Sequence, residues 1–375
     1  MVANTTTNPY QMLARHLDQT PLGAPECPEL YQLLQELFTP QEAELAAKLP
    51  FKPTALTRLA EMLGTQAEEL EPKLERLTEK GLLYQRLFPN GKAYYSLLPV
   101  VPGILELQFM DGTVSEEKKK LAALFDAYYA PGVGKAMIQA PMPYSRVIPV
   151  GKALENHQQI LPYHRAEQII QKQEAIALAT CYCRHEAELL DKACDNPKDV
   201  CLIFGAFAHF IAKQGKARLI SQKEALGVLA RAEEAGLVHV SDNVATGANF
   251  LCNCCGCCCL FLKTLTKLKR PGAVAPAAYL AQVDTDTCAG CGLCAERCQV
   301  DAVALNQDDL AQVDPARCLG CGLCATTCPT GSIQMQKRRE PPKPAADWLE
   351  LVDRLKGLRQ QNQEQALQSA VKDLA

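Results

Sequence analysis

Eight of the nineteen cysteines fall into two runs with one spacing, Cys-x2-Cys-x2-Cys-x3-Cys. Cys288, Cys291, Cys294 and Cys298 form the first run, and Cys318, Cys321, Cys324 and Cys328 the second. A 4Fe-4S cubane has four iron corners that each want one thiolate, and three cysteines two residues apart can wrap a tight loop around three of them. The fourth ligand must then come from elsewhere. Gly290, Gly292, Gly320 and Gly322 let the backbone turn sharply inside those loops and aim amide N–H groups at cluster sulfurs. Zinc would be content with fewer ligands at looser spacing, and disulfides need an oxidising compartment, so the spacing favours iron–sulfur chemistry. The runs lie in a repeat of period 30: Val283 to Leu305 reads VDTDTCAGCGLCAERCQVDAVAL and Val313 to Met335 reads VDPARCLGCGLCATTCPTGSIQM. Two copies imply a pseudo-twofold module.

Over Val283 to Met335 the chain resembles the bacterial-type dicluster 4Fe-4S ferredoxins. In that motif the last cysteine of each run reaches across to the other cluster. The resemblance therefore implies one cluster on Cys288, Cys291, Cys294 and Cys328, and another on Cys318, Cys321, Cys324 and Cys298. One position departs from the pattern: Gln299 follows Cys298 where proline is usual, as Pro329 follows Cys328. The missing ring implies a softer Cys298 loop.

Ten more thiols lie in one central region. Cys181, Cys183, Cys194 and Cys201 come first, and Cys252, Cys254, Cys255, Cys257, Cys258 and Cys259 follow in the run LCNCCGCCC. Eight thiolates would hold two further 4Fe-4S clusters and four would hold one, so either count leaves spares. Adjacent cysteines in extended backbone point to opposite sides, which implies that they serve different metals or that one of each pair is unused. The expected metal ligands are Cys181, Cys183, Cys194, Cys201, Cys252, Cys254, Cys255 and Cys258. Zinc is the alternative to iron, because soft thiolate sites suit both. Arg184 and His185 stand beside these ligands and read as a surface pair that could tune a cluster or pass a proton. His157, His164, His209 and His239 read as packed or solvated, and Cys27 as a free thiol.

The elements that must position these residues are legible in part. Residues 1–28 carry threonine, asparagine and proline without a sustained period and read as an arm. Helices over Glu29–Leu49, Thr54–Leu63 and a stretch opened by a Thr65/Glu68 capping box and closed by Gly81 precede a hairpin, Leu82–Leu87 and Lys92–Leu98. Three helices and a hairpin predict a winged helix over residues 29–110. Its last helix carries Glu68, Glu69, Glu71, Glu75 and Glu79 against Lys73, Arg76 and Lys80, a poor match to phosphate backbones, so a protein-docking or structural role is expected rather than nucleic-acid binding. Val101–Met110 reads as extended, Ser115–Tyr129 as a helix, and residues 131–150 as a Pro- and Gly-rich connection closing a helix-and-linker segment, 111–150. In the cysteine-rich domain, 151–270, Ala166–Gln173 reads as a helix and Ala175–Thr180 as a strand that delivers Cys181. Val200–Lys213 and Ser221–Ala235 read as helices there, and Leu237–Val240 as a strand. The dicluster domain occupies 271–340, and a tail, 341–375, ends in an amphipathic helix from Trp348 that either docks back or binds a partner.

The expected fold is thus α+β and multidomain: a winged-helix-like start, a central mixed α/β cysteine-rich domain and a ferredoxin-like dicluster module. With 48% hydrophobic and 22% charged residues and a net charge of -3, the chain has the composition of an ordinary globular protein. No apolar run approaches the roughly 20 residues of a membrane span. The start shows no basic segment followed by an apolar one, so reduced thiols and a cytoplasmic location are expected. From RVIPV through CYCR, GLVH and CNCCGCCC, roughly residues 29–337, the chain is similar to multi-cysteine ferredoxin-like proteins of anaerobic bacteria and archaea. That resemblance implies metal on the central cysteines and another redox protein as partner. The expected function is electron transfer through 4Fe-4S clusters, two in the C-terminal module and one or two further clusters in the central domain. The alternatives are an oxidoreductase with an open-site central cluster and a redox-sensing winged-helix regulator. No Gly-rich dinucleotide fingerprint lies between a strand and a helix.

Overall fold

A computed structural model describes residues 8–88, 90–154, 165–270 and 272–373, with side chains to residue 361. His157 and His164 lie outside the described residues. From Asn8 the start is not a loose arm. Asn8 caps helix α1 (Pro9–Leu17), whose Leu13, Ala14 and Leu17 are buried against the next helices. A helix this short shows too few turns for its period to stand out in sequence. The stretch read as one helix is two, α2 (Pro28–Leu37) and α3 (Pro40–Ala46), because Thr39 and Glu42 form a capping box that opens a new helix at Pro40.

Strand β1 (Thr54–Ala55), helices α4 (Leu56–Leu63) and α5 (Ala67–Glu79), and strands β2 (Leu83–Leu87) and β3 (Ala93–Leu97) follow. They form a three-stranded antiparallel sheet in the order β1-β3-β2. The capping box expected at α5 does not form: Gln66 is the N-cap, and Thr65 bonds Glu69 through its side chain instead. Leu70, Leu74 and Leu77 turn inward as their spacing requires. The hairpin docks on the central domain through Tyr84, which packs edge-on to Phe210 at 5.0 Å and beside Phe207. Residues 101–110 are not fully extended, since α6 (Leu105–Phe109) forms there ahead of α7 (Glu116–Tyr128) and α8 (Lys135–Gln139).

The central sheet has seven strands. β4 (Ser145–Ile148) is followed by α9 (Ala166–Gln171), β5 (Ile176–Thr180), α10 (Tyr182–Leu189), β6 (Asp199–Phe204), α11 (Gly205–Lys213), β7 (Arg218–Ile220), α12 (Gln222–Glu234), β8 (Val238–Asp242), β9 (Phe250–Cys254), α13 (Leu262–Thr266) and β10 (Val274–Ala275). The order across the sheet is β10-β4-β8-β9-β6-β5-β7, antiparallel except for the β10/β4 edge. Two segments read differently in sequence. β4 lies in the Pro- and Gly-rich stretch taken as a connection, and Val200–Phe204, taken as part of a helix, is a strand. That strand is covered on both faces: Val200, Leu202 and Phe204 join the core under α9 and α12, while Cys201 and Ile203 join the core on the opposite face. A doubly buried strand reads as an unbroken apolar run, and such a run does not tell strand from helix.

The C-terminal module contains β11 (Tyr279–Val283), α14 (Leu293–Glu296), β12 (Val303–Leu305), β13 (Ala311–Val313), α15 (Leu323–Thr327) and β14 (Ile333–Lys337). β11 pairs with β14 and β12 with β13, so each half of the repeat contributes one strand to each ribbon. The final helix, α16 (Trp348–Asp373), docks back on the molecule. Trp348 stands edge-on to Tyr144 at 5.7 Å, Leu351 and Leu355 are fully buried, and Arg359 reaches the carbonyl of Thr20 and the carboxylate of Asp18. No helix among the described residues is long and apolar enough to cross a membrane.

Candidate metal centres

The C-terminal cysteines gather in two crossed groups. Cys288, Cys291 and Cys294 line one cavity together with Cys328, while burial, joined by the nearby Cys298 and Cys318, disfavours ionisation of Cys321 and Cys324. Both groups sit under loops held open by glycine. A side chain at Gly320 would put its Cβ 2.0 Å from the Tyr279 carbonyl oxygen, at a φ of 70° that also favours glycine. Polar hydrogens point at the sulfurs: Ala302 N–H donates to Cys298 at 3.1 Å, Ala311 N–H to Cys288 at 3.5 Å, and Ser332 lies 3.2 Å from Cys328. Burial alone would raise the Cys328 thiol, but hydrogen bonds from Ser332 and Thr330 bring it down to about 7.

The two groups differ in exposure. Cys291 of the first is exposed to solvent. The second faces inward, where the Cys321 carbonyl accepts from Val150, the Leu319 carbonyl accepts from Ala277, and Arg338 donates to the Cys318 carbonyl. Burial pushes the Cys321 thiol up to about 12.

The ten central thiols divide six and four. Cys181, Cys183, Cys201, Cys252, Cys254 and Cys259 line one enclosed cavity with Tyr182, Arg184, Asn253 and Phe261. Cys181 sits where β5 passes into α10, Cys183 lies one residue into that helix, Cys201 is on β6, and Cys252 and Cys254 share one side of β9 by strand alternation. Cys201 and Cys252 are 3.7 Å apart, and Leu260 N–H donates to Cys183 at 3.3 Å. These thiols resist ionising. Burial leads for Cys183, and the hydrogen bond to a neighbouring thiol leads for Cys181, Cys252 and Cys254, each held well above the ordinary thiol range. A cation in the cavity would reverse that preference, because metal binding takes up the thiolate form.

Cys194, Cys255, Cys257 and Cys258 form the second group, with all four sulfurs within 4.8 Å of one another. Adjacent cysteines do part company: Cys254 and Cys259 belong to the core on one face of the sheet, and Cys255 and Cys258 to the core on the other. Of the residues expected as ligands, Cys181, Cys183, Cys201, Cys252 and Cys254 come together in the first group and Cys194, Cys255 and Cys258 in the second. Cys257 and Cys259 complete the groups and were not among them. The repeat of the adjacent pair, Cys254-Cys255 and then Cys258-Cys259, was the available signal for Cys259.

Arg184 and His185 are not on the surface; each is 1% exposed. Arg184 lines the six-thiol cavity, donates to the Asn253 carbonyl at 3.0 Å and stands 3.5 Å from the Cys255 sulfur. Sequence periodicity is silent on this, because α10 is covered by α6 and α7 from a distant part of the chain. His185 bonds the Phe109 carbonyl. His239 is buried between Asn253 and Glu233, and His209 is exposed. Cys27 is partly buried at the N-cap of α2.

The C-terminal module meets the central loop beside Cys298. Gln299 accepts a hydrogen bond from Gly256 N–H at 2.9 Å, and a Cβ at Gly256 would lie 1.9 Å from the Gln299 carbonyl oxygen. Arg297 donates to the carbonyls of Glu233 and Glu234 at the end of α12, where the helix dipole favours a cation. The residue that departs from the ferredoxin pattern is therefore a docking residue.

No curated protein and no solved structure matches this chain. Residues 281–335 match the family described as 4Fe-4S dicluster domain, so the C-terminal part of the chain is an iron–sulfur, ferredoxin-like module.

Proposed function

We propose that the protein passes single electrons between redox partners, with Cys288, Cys291, Cys294 and Cys328 holding an outer 4Fe-4S cluster and Cys318, Cys321, Cys324 and Cys298 an inner one. Four of the six thiols Cys181, Cys183, Cys201, Cys252, Cys254 and Cys259 hold a further iron–sulfur cluster in the central domain. The clusters supply one-electron redox chemistry. The chain fixes their separation, buries the inner cluster, and directs Ala302, Ala311 and Ser332 at the sulfurs, each of which tunes potential. The observation that carries this reading is the graded exposure of the two C-terminal groups. One has a cysteine at the surface, and the other abuts the central loop through Gln299 and Gly256. Asp284, Asp286, Asp308 and Asp309 are exposed on the same module, which suits a basic partner.

In this reading the chain divides as its motifs suggest, with residues 29–110 forming a winged helix that docks protein rather than nucleic acid. From α3 onward, the helix–strand–helix–helix–hairpin order supports that assignment, and ion pairs support the docking role. Two of the three cations on α5 and its C-cap, Arg76 and Lys80, pair with Glu42 at 3.4 and 2.7 Å and are not free for phosphate.

Iron per chain on protein purified without oxygen, with low-temperature EPR during stepwise reduction, tests the proposal. Two cubanes alone give about 8 irons, and about 12 or more with interacting signals is the expected result. About 8 irons would remove the central domain from the electron path.

A further inference from the structure

We propose that Cys194, Cys255, Cys257 and Cys258 bind one tetrahedral divalent metal ion through four thiolates, as a site separate from the iron–sulfur clusters. The sulfur spacing carries the assignment. Cys194 and Cys255 are 3.7 Å apart, Cys257 and Cys258 3.7 Å, and Cys194 and Cys258 3.9 Å. A metal–sulfur bond of about 2.3 Å in tetrahedral geometry puts the sulfurs about 3.8 Å apart. A cubane does the opposite. Each thiolate takes its own iron corner, so an inorganic core of four irons and four sulfides must fit between the cysteine sulfurs.

The molecule contains its own control. Among the described residues no other group of three or more Cys, His, Asp or Glu has its ligand atoms within 4.8 Å of one another, and that includes all eight cysteines of the dicluster module. The cysteines of a known cubane-binding domain stand apart around a cavity, whereas these four close on a point.

The surroundings suit a closed, anionic centre. Four thiolates on a divalent ion leave two negative charges and no open coordination position, the arrangement of a structural site rather than a catalytic one. Asn196 donates to the Cys194 sulfur at 3.3 Å, and the buried guanidinium of Arg184 donates to Cys255. Cys194 comes from the α10–β6 loop and the other three from the loop after β9, so the ion would clip together segments some 60 residues apart. It would also set the backbone that carries Cys254 and Cys259 into the neighbouring cavity.

Zinc and iron share this chemistry, and one experiment separates them. Full-length protein prepared without oxygen would be assayed for zinc and iron, with X-ray absorption at both edges, beside Cys194→Ser and Cys257→Ser. The expected result is one zinc per chain with four sulfurs at about 2.3 Å and no metal neighbour. If the ion is iron, the oxidised protein instead shows an isolated high-spin ferric signal apart from the cluster signals. Either variant loses that single ion. Wild-type protein with neither a mononuclear zinc nor a mononuclear iron overturns the proposal whatever the variants do. So does a Cys194→Ser protein that loses iron four atoms at a time, since the four thiols would then belong to a cubane.

Discussion

The C-terminal module and the central domain solve one problem, gathering thiols around metal, in opposite ways. In the module, three ligands of each group lie within seven consecutive residues and only the fourth crosses from the other run. The loop itself shapes the site, through glycines and amide hydrogens. In the central domain the thiols come from the β5–α10 junction, α10, the α10–β6 loop, β6, β9 and the loop after β9, and no segment holds a complete group. Its two sites exist only when a seven-stranded sheet has formed. Local encoding makes the first robust, and tertiary encoding makes the second dependent on every layer beneath it.

A buried charge in the central sheet should separate the two most strongly. Leu202 is fully buried under α9 and α12, and Leu202→Asp places an unpaired carboxylate there at a cost of several kcal/mol. The expected outcome is loss of central metal with about 8 irons retained on the module. Iron analysis with EPR reads it, and loss of all iron together would break the contrast. Asn253→Ala acts more gently. The Asn253 side chain donates to the Val200 carbonyl at 2.7 Å and meets His239 at 2.6 Å, and leaving these unpaired costs about 1–3 kcal/mol. Chelator-driven release from the central sites should quicken while the dicluster signals stay unchanged.

A pH effect is expected from Glu106, on the α6 helix that covers α10. Burial raises the Glu106 carboxyl to about 7, against hydrogen bonds from Gly103 and Tyr182 that favour its ionised form. A carboxyl raised in the folded state contributes most below its unfolded pKa, and that contribution is lost as pH rises through about 7. Stability should therefore fall from about pH 4.5 to about 7 and level off above, and Glu106→Gln should flatten the decline, by about 3 kcal/mol at most. Denaturant midpoints across that range would check it; an unchanged slope would remove Glu106 from the account. The smallest effect is expected at the seam. Gln299→Pro restores the residue that the second run carries and removes the bond to Gly256, about 1 kcal/mol. Iron content should hold, while electron exchange between the module and the central domain slows in stopped-flow reduction.

The same contrast decides what could be read from sequence. The eight module cysteines were legible as two runs because spacing along the chain is spacing in space when a loop wraps a cluster, whereas their crossed grouping came from the resemblance to dicluster ferredoxins and not from spacing. Cys257 and Cys259 were not, because which of several adjacent thiols faces which cavity depends on where β9 ends against the sheet. Val200–Phe204 looked helical for want of any alternation, since both its faces are covered. The short α1 and β4 carried too few residues to show a period. The helix from Trp348 was plain, but its docking on Tyr144 and near Thr20 is a property of surfaces that no local pattern encodes. Burial of Arg184 and His185 follows from α6 and α7 closing over α10, again a contact between distant segments.

The segment Cys254 to Cys259 has a consequence for length. Its outer members face the six-thiol cavity and its inner members face the four-thiol site, so the count of residues between them works as a ruler. Surface connections ordinarily tolerate gain or loss of a residue. Here a single deletion would turn the later pair around and offer each site the sulfur meant for its neighbour. The stretch is thus bound to a fixed number of residues, and Gly256, pressed against Gln299, has no room to take up slack.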